Sequence, residues 1–403
     1  MQIVRELCSF EGRLAGSDAE RRAAGWLADR LRAGGRRAEL EPIHVHPQAP
    51  LVHAVHCLLG VAGSLVAVAV PVLGFALVLF AATSMYLDLN ARFYLLRRLF
   101  FRRASQNVVS KGLQPTAPAR LLLVAHVDVA RTGASYSQRR MGWLSRIAAG
   151  LPFPLSPTRL VFWSLAFLVP VLAARAAGID SDGLSLLQLP PTLVLLVAIF
   201  ALVDIQLSSP VPGANDNASG VATALSLAEE LDSDPPSNLD VWVVITGGEE
   251  SLAEGMRAFV RSRRKSFDPR STYVVNFDAV GSGRVRFELG EGPAVTYELR
   301  SRLTELCEAI AAADEDGRFA AAPIRRGFAT DALVPRLAGW AATTITCLEP
   351  GAVVPANYHL ASDVLENLDP AALDRAHDFA LELVRRLDRD LGRAREAVIE
   401  VSA

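Results

Sequence analysis

The sequence predicts an α/β protein: a mostly parallel central sheet flanked by helices, interrupted by two transmembrane helical hairpins. Three observations predict this. Short apolar runs that read as buried strands alternate with longer stretches that read as helices. Two blocks almost free of charge break the alternation. Pro42 to Leu87 holds no Asp, Glu, Lys or Arg, and Leu160 to Val203 holds only Arg175, Asp180 and Asp182. Outside these blocks about a quarter of the residues are charged, as in ordinary soluble domains. The blocks hold the charged fraction of the 403 residues to 21 % and lift the hydrophobic fraction to 51 %.

The elements follow in order. The first residues are charged and amphipathic, without the apolar core of a cleavable signal, so membrane delivery is expected to rely on internal segments. Ser17 followed by Glu20 is a capping-box pattern. It opens a helix to about Ala33, closed by Gly34-Gly35. The first charge-free block would span about 69 Å as one helix, against a hydrocarbon core of roughly 30 Å. One crossing cannot use that length and two can. Pro71 and Gly74 mark the turn, giving helices at 51–70 and 72–90. Arg120 to Ala125 reads as a buried strand delivering His126 and Asp128. The second block divides into helices at 159–177 and 189–207, with Gly178 to Gly183 as a polar connection and Pro190-Pro191 opening the fourth helix. Ahead of it, Met141, Trp143, Leu144 and Ile147 fit either a helix lying on the membrane surface or a plain loop. Buried core helices are the alternative reading of both blocks.

Beyond the second block, helices are expected at 219–231, 252–264, 296–313 and 370–391. Strands are expected at Leu239–Thr246, Thr272–Phe277 and Ala342–Leu348. The domain therefore starts in 1–50 and is interrupted by the first hairpin at 51–90. It resumes in 91–133, is interrupted again by the insertion 134–207, and ends in 208–403. Two complete hairpins leave all its segments on one side. Arg92, Arg97, Arg98, Arg102 and Arg103 follow the second crossing, and Arg139, Arg140, Arg146 and Arg159 precede the third. The positive-inside rule then sets the domain on the cytoplasmic side of a multi-pass membrane protein.

Composition excludes other classes. A formal net charge of −2 with no basic tail argues against nucleic-acid binding. Cys8, Cys57, Cys307 and Cys347 form no CxxC pair, which argues against a thiolate zinc site and suits a reducing compartment. No HExxH and no GxSxG occurs, which removes the helical single-zinc scheme and disfavours a serine-hydrolase elbow.

The chemistry-bearing residues sit where strands end, the usual site location in open α/β sheets. His126 in Ala125-His126-Val127-Asp128 is a candidate ligand whose imidazole Asp128 would orient. Asp216 in Gly213-Ala214-Asn215-Asp216-Asn217-Ala218-Ser219-Gly220 is a candidate ligand or a helix-capping residue. Glu249 and Glu250 are adjacent carboxylates that repel without a cation or a shared proton, or else a solvated loop. Asp278 either binds or caps a turn, and Tyr358-His359 either belongs to the site or lies on the surface. His44, His46, His53 and His56 read as an interfacial cluster, with a further metal site as the lesser alternative.

Taken in order, AHVD, GANDNASG, GGEE, NFDAVG and YHLASD, with the opening FEGRLAGSDAERRAAGWLADRLRAGG, resemble the co-catalytic dizinc aminopeptidases. That family includes bacterial leucyl aminopeptidases and aminopeptidase Y. The likeness covers about 1–46, 102–132 and 208–403. It implies a zinc exopeptidase fold and two Zn2+ ions, with Asp216 bridging them. His126 and Asp278 would complete one metal site, and Glu250 and His359 the other. Asp128 would orient His126, and Glu249 would be the general base. Tyr358 matches a position where some members place a tyrosine that helps hold the tetrahedral intermediate. A hydroxide shared by the metals would attack the scissile carbonyl of a peptide's N-terminal residue. Nitrogen and oxygen donors suit zinc independently of the likeness.

Two departures stand out. Ninety positions separate His126 from Asp216, and the second apolar block fills them. It enters where a loop tolerates insertion and is placed to roof the site. Thr330-Asp331 stands near where relatives often carry a Ser-Asp pair. The expected function is a membrane-anchored zinc aminopeptidase acting on peptides at a lipid bilayer. The alternatives are a carboxypeptidase or aminoacyl-amide hydrolase on the same scaffold, a glutaminyl cyclase, and a non-catalytic membrane receptor or scaffold. The intact Glu249-Glu250 pair argues against the cyclase, and the complete ligand set against the receptor.

Overall fold

The computed structural model describes residues 1–137, 139, 140, 142 and 153–402. Met141, Trp143, Leu144 and Ile147, the expected surface helix, lie outside them. In chain order the strands are β1 (Ala38–Val45), β2 (Arg103–Ser110), β3 (Ala119–His126), β4 (Leu239–Thr246), β5 (Thr272–Phe277), β6 (Arg284–Glu291), β7 (Tyr297–Glu298), β8 (Ala322–Arg325) and β9 (Ala341–Leu348). They form one sheet in the order β1-β2-β4-β3-β5-β9-β6-β7, with β8 also pairing β6. The centre, β4-β3-β5-β9, is parallel. The flanks β1-β2-β4 and β9-β6-β7 are antiparallel. The sheet is therefore mixed, and its parallel part is the four strands legible as apolar runs. Those runs are continuous because both faces are covered. Leu121, Leu123, Val243 and Ile245 face one core layer, and Leu122, Val124, Trp242 and Val244 face the other.

The helices α1 (Gln2–Cys8), α2 (Asp18–Ala33), α3 (Ala49–Val66), α4 (Pro71–Leu89), α5 (Pro157–Ala176), α6 (Asp182–Leu207), α7 (Gly220–Ser233), α8 (Glu254–Arg263), α9 (Arg302–Ala312), α10 (Leu333–Leu337) and α11 (Pro370–Ser402) divide between three tasks. Leu27 of α2, Leu225 of α7, Leu303 of α9 and Phe379 of α11 fill the first core layer. Met256 and Phe259 of α8 and Val334 of α10 fill the second. The remaining four long helices, α3 to α6, are each long and apolar enough to cross a membrane.

These four pack together as one bundle. α3 packs on α4 and α6, and α4 on α5, around Cys57, Val78, Met85, Leu165 and Leu195. At the α3–α4 turn, a Cβ on Gly63 would meet the Gly74 carbonyl at 2.9 Å, and one on Gly74 would meet the Gly63 carbonyl at 2.5 Å. Only glycine permits that approach of backbones. Polar side chains join α3 to α6: Ser64 Oγ lies 2.6 Å from Thr192 Oγ1, and Gln188 Nε2 donates to Ser64 Oγ at 2.8 Å.

The start of α6 corrects the sequence reading. The helix opens at Asp182, where the Ser181 hydroxyl accepts from the Leu184 N–H, and runs through Pro190 and Pro191. Prolines inside apolar helices are tolerated where neighbouring groups and local adjustments compensate for the lost N–H donors. The histidines also part company. His44 is exposed on β1, and His46 Nδ1 lies 2.7 Å from Glu254 Oε1. His53 and His56 are buried in the bundle, their rings stacked at 5.6 Å.

A buried ionic network joins bundle to domain. Arg97 donates from Nε and Nη2 to Asp88 at 2.8 and 3.0 Å, and from Nη1 to the Ser251 carbonyl at 2.9 Å. Its place in the sequence marks Arg97 as a membrane-flanking surface charge, yet it is fully buried. Glu254, at the start of α8, accepts the His46 backbone N–H at 2.5 Å. Burial raises the Glu254 carboxyl, but His46 and Arg97 outweigh it and hold it below its ordinary 4.5. A carboxyl lowered on folding adds stability above its unfolded value and loses it as pH falls through the folded value. Acid unfolding should therefore begin below about pH 4.5. Glu254→Gln should cost roughly 1.5–3 kcal/mol at neutral pH and flatten that acid limb in chemical denaturation.

Candidate metal centre and active site

The four central strands end on one edge, and the loops that leave them converge. His126 at the end of β3 pairs with Thr246 at the end of β4, and Gly247-Gly248-Glu249-Glu250 follows at once. Gly248 has a φ of 65°, and a Cβ there would come within 2.5 Å of the Val45 side chain, so the turn presenting the glutamates requires glycine. The Asp128 carboxylate fixes this turn by accepting the N–H of Glu249 at 3.0 Å and of Glu250 at 3.1 Å.

Asp216 lies in the tight turn Ala214–Ser219 ahead of α7. Asp363 accepts the N–H groups of Asn215 at 2.7 Å and Asp216 at 3.1 Å. Asn217 Oδ1 accepts from Ala279, Ser219 Oγ from Val280 and Asn215 Oδ1 from Gly281. These bonds lock the Asp216 turn to the loop that carries Asp278. His359 is held in the left-handed region, with φ 54°, a conformation that costs a non-glycine residue about 1–3 kcal/mol and clusters at functional sites.

The distances converge on Asp216. Its Oδ1 is 3.3 Å from His126 Nε2 and its Oδ2 is 3.4 Å from His359 Nε2. His359 Nε2 is in turn 3.6 Å from Glu250 Oε1. Donor atoms of His126, Asp216 and Glu250 all lie within 4.8 Å of one another. Asp278, Glu249 and Tyr358 line the same cavity of about 30 Å³. The structure thus brings together every residue the sequence singles out as a ligand, with Glu249 beside them. Asp128 meets the His126 ring with both its backbone carbonyl and its carboxylate. The partner of His126 Nδ1 within hydrogen-bond distance is the Asp128 backbone carbonyl, at 3.1 Å. The carboxylate, 3.7 Å away, is engaged by the glutamate turn. Tyr358 stacks on His359 with ring centroids 3.8 Å apart.

The electrostatics match a site built for cations. Burial, with Glu250, Asp331 and Asp278 adding to it, holds the Glu249 carboxyl well above the usual range against the pull of His126. Burial likewise raises Glu250 and Asp278. Asp216 is lowered despite burial, because His126 and His359 both bond it. Both imidazoles are raised despite burial by the acidic groups around them. Two imidazoles and three carboxylates in one buried cluster are a donor set that fits zinc, and bound dications would relieve this crowding of acids.

Several residues take roles that their sequence pattern does not announce. The capping box at Ser17 forms only in part: Ser17 Oγ accepts from the Glu20 N–H. The Glu20 carboxylate instead accepts from the N–H of Gly16 and of Gly248. Asn215, Asn217 and Asp363 support the turn described above; their asparagine-rich spacing is a turn signal, but its partners are distant in sequence. Tyr136, at the start of the second insertion, sets its ring 4.7 Å from that of His359. Asp331 is fully buried against Thr246, its carboxyl pushed up to about 7, chiefly by burial.

Comparison with known proteins bears on the family and the fold. Residues 194–384 match peptidase family M28. Among solved structures, the chain is similar to a Zn-dependent exopeptidase from Parabacteroides distasonis, at 14 % identity and TM-score 0.54 over 95 % of this chain and 96 % of that one. A leucine aminopeptidase precursor from Bacteroides thetaiotaomicron gives 14 % and 0.51 over 95 % and 94 %. A glutaminyl cyclase from Tannerella forsythia gives 14 % and 0.54 over 95 % and 96 %. No curated protein matches in sequence. At this identity the solved structures establish the fold, whereas the family match rests on the residues that include Asp216, Glu249, Glu250, Asp278 and His359. The chain thus has the zinc exopeptidase fold, and the match of residues 194–384 to peptidase family M28 supports a zinc-metallopeptidase-like hydrolase.

Proposed function

We propose that this protein is a membrane-anchored aminopeptidase holding two zinc ions. The observation that carries the reading is Asp216, which offers one carboxylate oxygen to each of two imidazole-bearing halves. Asp216 would bridge the ions, with His126 and Asp278 completing one half and Glu250 and His359 the other. Bound there, the zinc ions supply Lewis acidity for the scissile carbonyl and lower the pKa of water. Glu249 takes the proton of the attacking water on its carboxylate and returns it to the leaving amine nitrogen. Asp128 holds the Glu249 backbone, so the carboxylate meets the substrate in one orientation. The stacked Tyr358 ring buttresses His359, and its hydroxyl would donate to the oxygen of the tetrahedral intermediate.

The four apolar helices would anchor the protein as two hairpins, with the domain on the cytoplasmic side. Arg92, Arg98, Arg102 and Arg103 support this side, since all four are exposed beyond α4. Cysteines placed at Asp180 and Lys111 should label from opposite faces of sealed vesicles; labelling from one face refutes the topology.

Metal analysis of the purified protein should return two zinc ions per chain. Hydrolysis should favour substrates with a free N-terminus over N-blocked ones, and cleavage of N-blocked substrates alone would remove the aminopeptidase reading. Cyclisation of N-terminal glutamine without hydrolysis would transfer the chain to the other activity seen on this fold. Chelation should abolish activity and lower stability together, by about 2.7 kcal/mol at a hundredfold excess of metal over its Kd.

A further inference from the structure

Two cavities with a shared stretch of lining lie between the candidate metal centre and the helix bundle. The first, about 210 Å³, is walled at one end by Glu250 and His359 and at the other by Leu202 and Ile205 of α6. The second, about 470 Å³, lies between α5 and the later half of α6, and its lining is almost wholly carbon. His53, Tyr136, Thr158, Leu202 and Ile205 line both. Along α6 the second cavity runs from Leu193 to Ile205, about 18 Å of helix. Its rim is open: Leu160, Leu193 and Val197 are 48 %, 49 % and 67 % exposed, on helices apolar enough to sit in lipid.

His53 stands with Tyr136 and Thr158 where the two cavities share their lining. His53 is buried and lines both cavities; among the described residues neither ring nitrogen has a hydrogen-bond partner, and Nε2 lies 3.8 Å from Asp88 Oδ2. A buried polar atom without a partner is costly, and a polar group of a bound molecule would satisfy it. The passage therefore offers three environments in sequence: a hydrocarbon slot open to the bilayer, one hydrogen-bonding imidazole, and the metal centre. The site also meets a separate cavity of about 280 Å³ at Arg326 and Phe328, which leaves room for the other end of a substrate.

We propose that the substrate is an amphiphilic amide that enters from the bilayer. Its single long hydrocarbon chain lies between α5 and α6, a polar group passes His53, and the scissile amide reaches the site beside Glu249. Water adds across the C–N bond, giving one carboxylic acid and one amine, and one of the two products keeps the chain. This proposal rests on the hydrolytic reading and adds to it the class of substrate. The arrangement also accounts for the second insertion, which enters between two expected ligands, His126 and Asp216, and builds the slot against the site.

The test uses the full chain in lipid nanodiscs and two substrate series. Leucine n-alkylamides from ethyl to dodecyl carry the chain on the leaving amine, and N-acyl-leucinamides of matching length carry it on the acyl side. In one series kcat/KM should rise about threefold to fourfold per methylene until the slot is full. Ala201→Trp and Val194→Trp, which narrow the slot away from the catalytic groups, should each erase that rise and leave the ethyl substrate unchanged. A flat response in both series, with the short substrate cleaved, overturns the proposal. A rise that survives both tryptophans does the same, because it reports only partition into the bilayer. A leucine dodecylamide carrying a diazirine in its chain gives a readout independent of catalysis. It should crosslink to residues 193–205, and less so in Ala201→Trp; labelling spread evenly over the lipid-facing helices overturns the slot. Crosslinking there without any hydrolysis would instead remove the hydrolytic reading.

Discussion

Glu249→Gln should lower kcat by about 10²–10⁴-fold, the range for loss of a general acid–base group, with zinc content and KM close to those of the parent. The side chain keeps its size and the backbone N–H keeps its bond to Asp128, 3.0 Å in the parent, so the turn should survive. Glu249 lines the same cavity as the proposed ligands His126, Asp216, Glu250, Asp278 and His359, and the proposal gives it the proton and not a metal. Glutamine in its place cannot take a proton. Asp216→Asn separates the two roles. It weakens the donor that both imidazoles face and should lose metal and activity together. Glu249→Gln that retains more than about a tenth of the parent rate would move the base elsewhere, and the same variant stripped of zinc would make Glu249 a ligand.

The parts of this architecture legible in sequence share one property: each is announced by neighbours along the chain. The four parallel strands are unbroken apolar runs because both faces are buried. Every expected ligand lies within one or a few residues of a strand end or turn signal. β1 and β2 are different. Ala38–Val45 carries Glu39, Glu41 and His44 on an edge pairing, and its burial alternates irregularly, so no run betrays it. The pairing of asparagine and serine side chains with the 279–281 backbone spans about sixty residues and has no local trace. Charge is the sharpest case. The arginines after α4 read as one basic cluster flanking the membrane. Arg92 and Arg98 are exposed, whereas Arg97 is turned inward by Asp88, which sequence places among apolar residues, with Glu254 4.0 Å away. Membrane-flanking composition cannot separate the two, because it counts charges and does not know which has a buried partner.

That inward arginine carries the second large expectation. Arg97→Met should destabilise the protein by about 3–5 kcal/mol in equilibrium unfolding in detergent, and Asp88→Leu by a similar amount, since each leaves the other charge buried and unpaired. The double variant should recover much of the loss, because an apolar pair of similar volume is often as stable as a buried ion pair. Additive losses would show that the two side chains act independently. The consequence for activity separates this pair from a merely structural one. Arg97 Nη1 donates to the Ser251 carbonyl, one residue beyond Glu250, so the guanidinium ties the end of α4 to the glutamate turn. The double variant restores charge balance but not that bond. It should therefore regain stability while kcat stays below the parent value, and full recovery of both would reduce the network to a scaffold with no hold on the site.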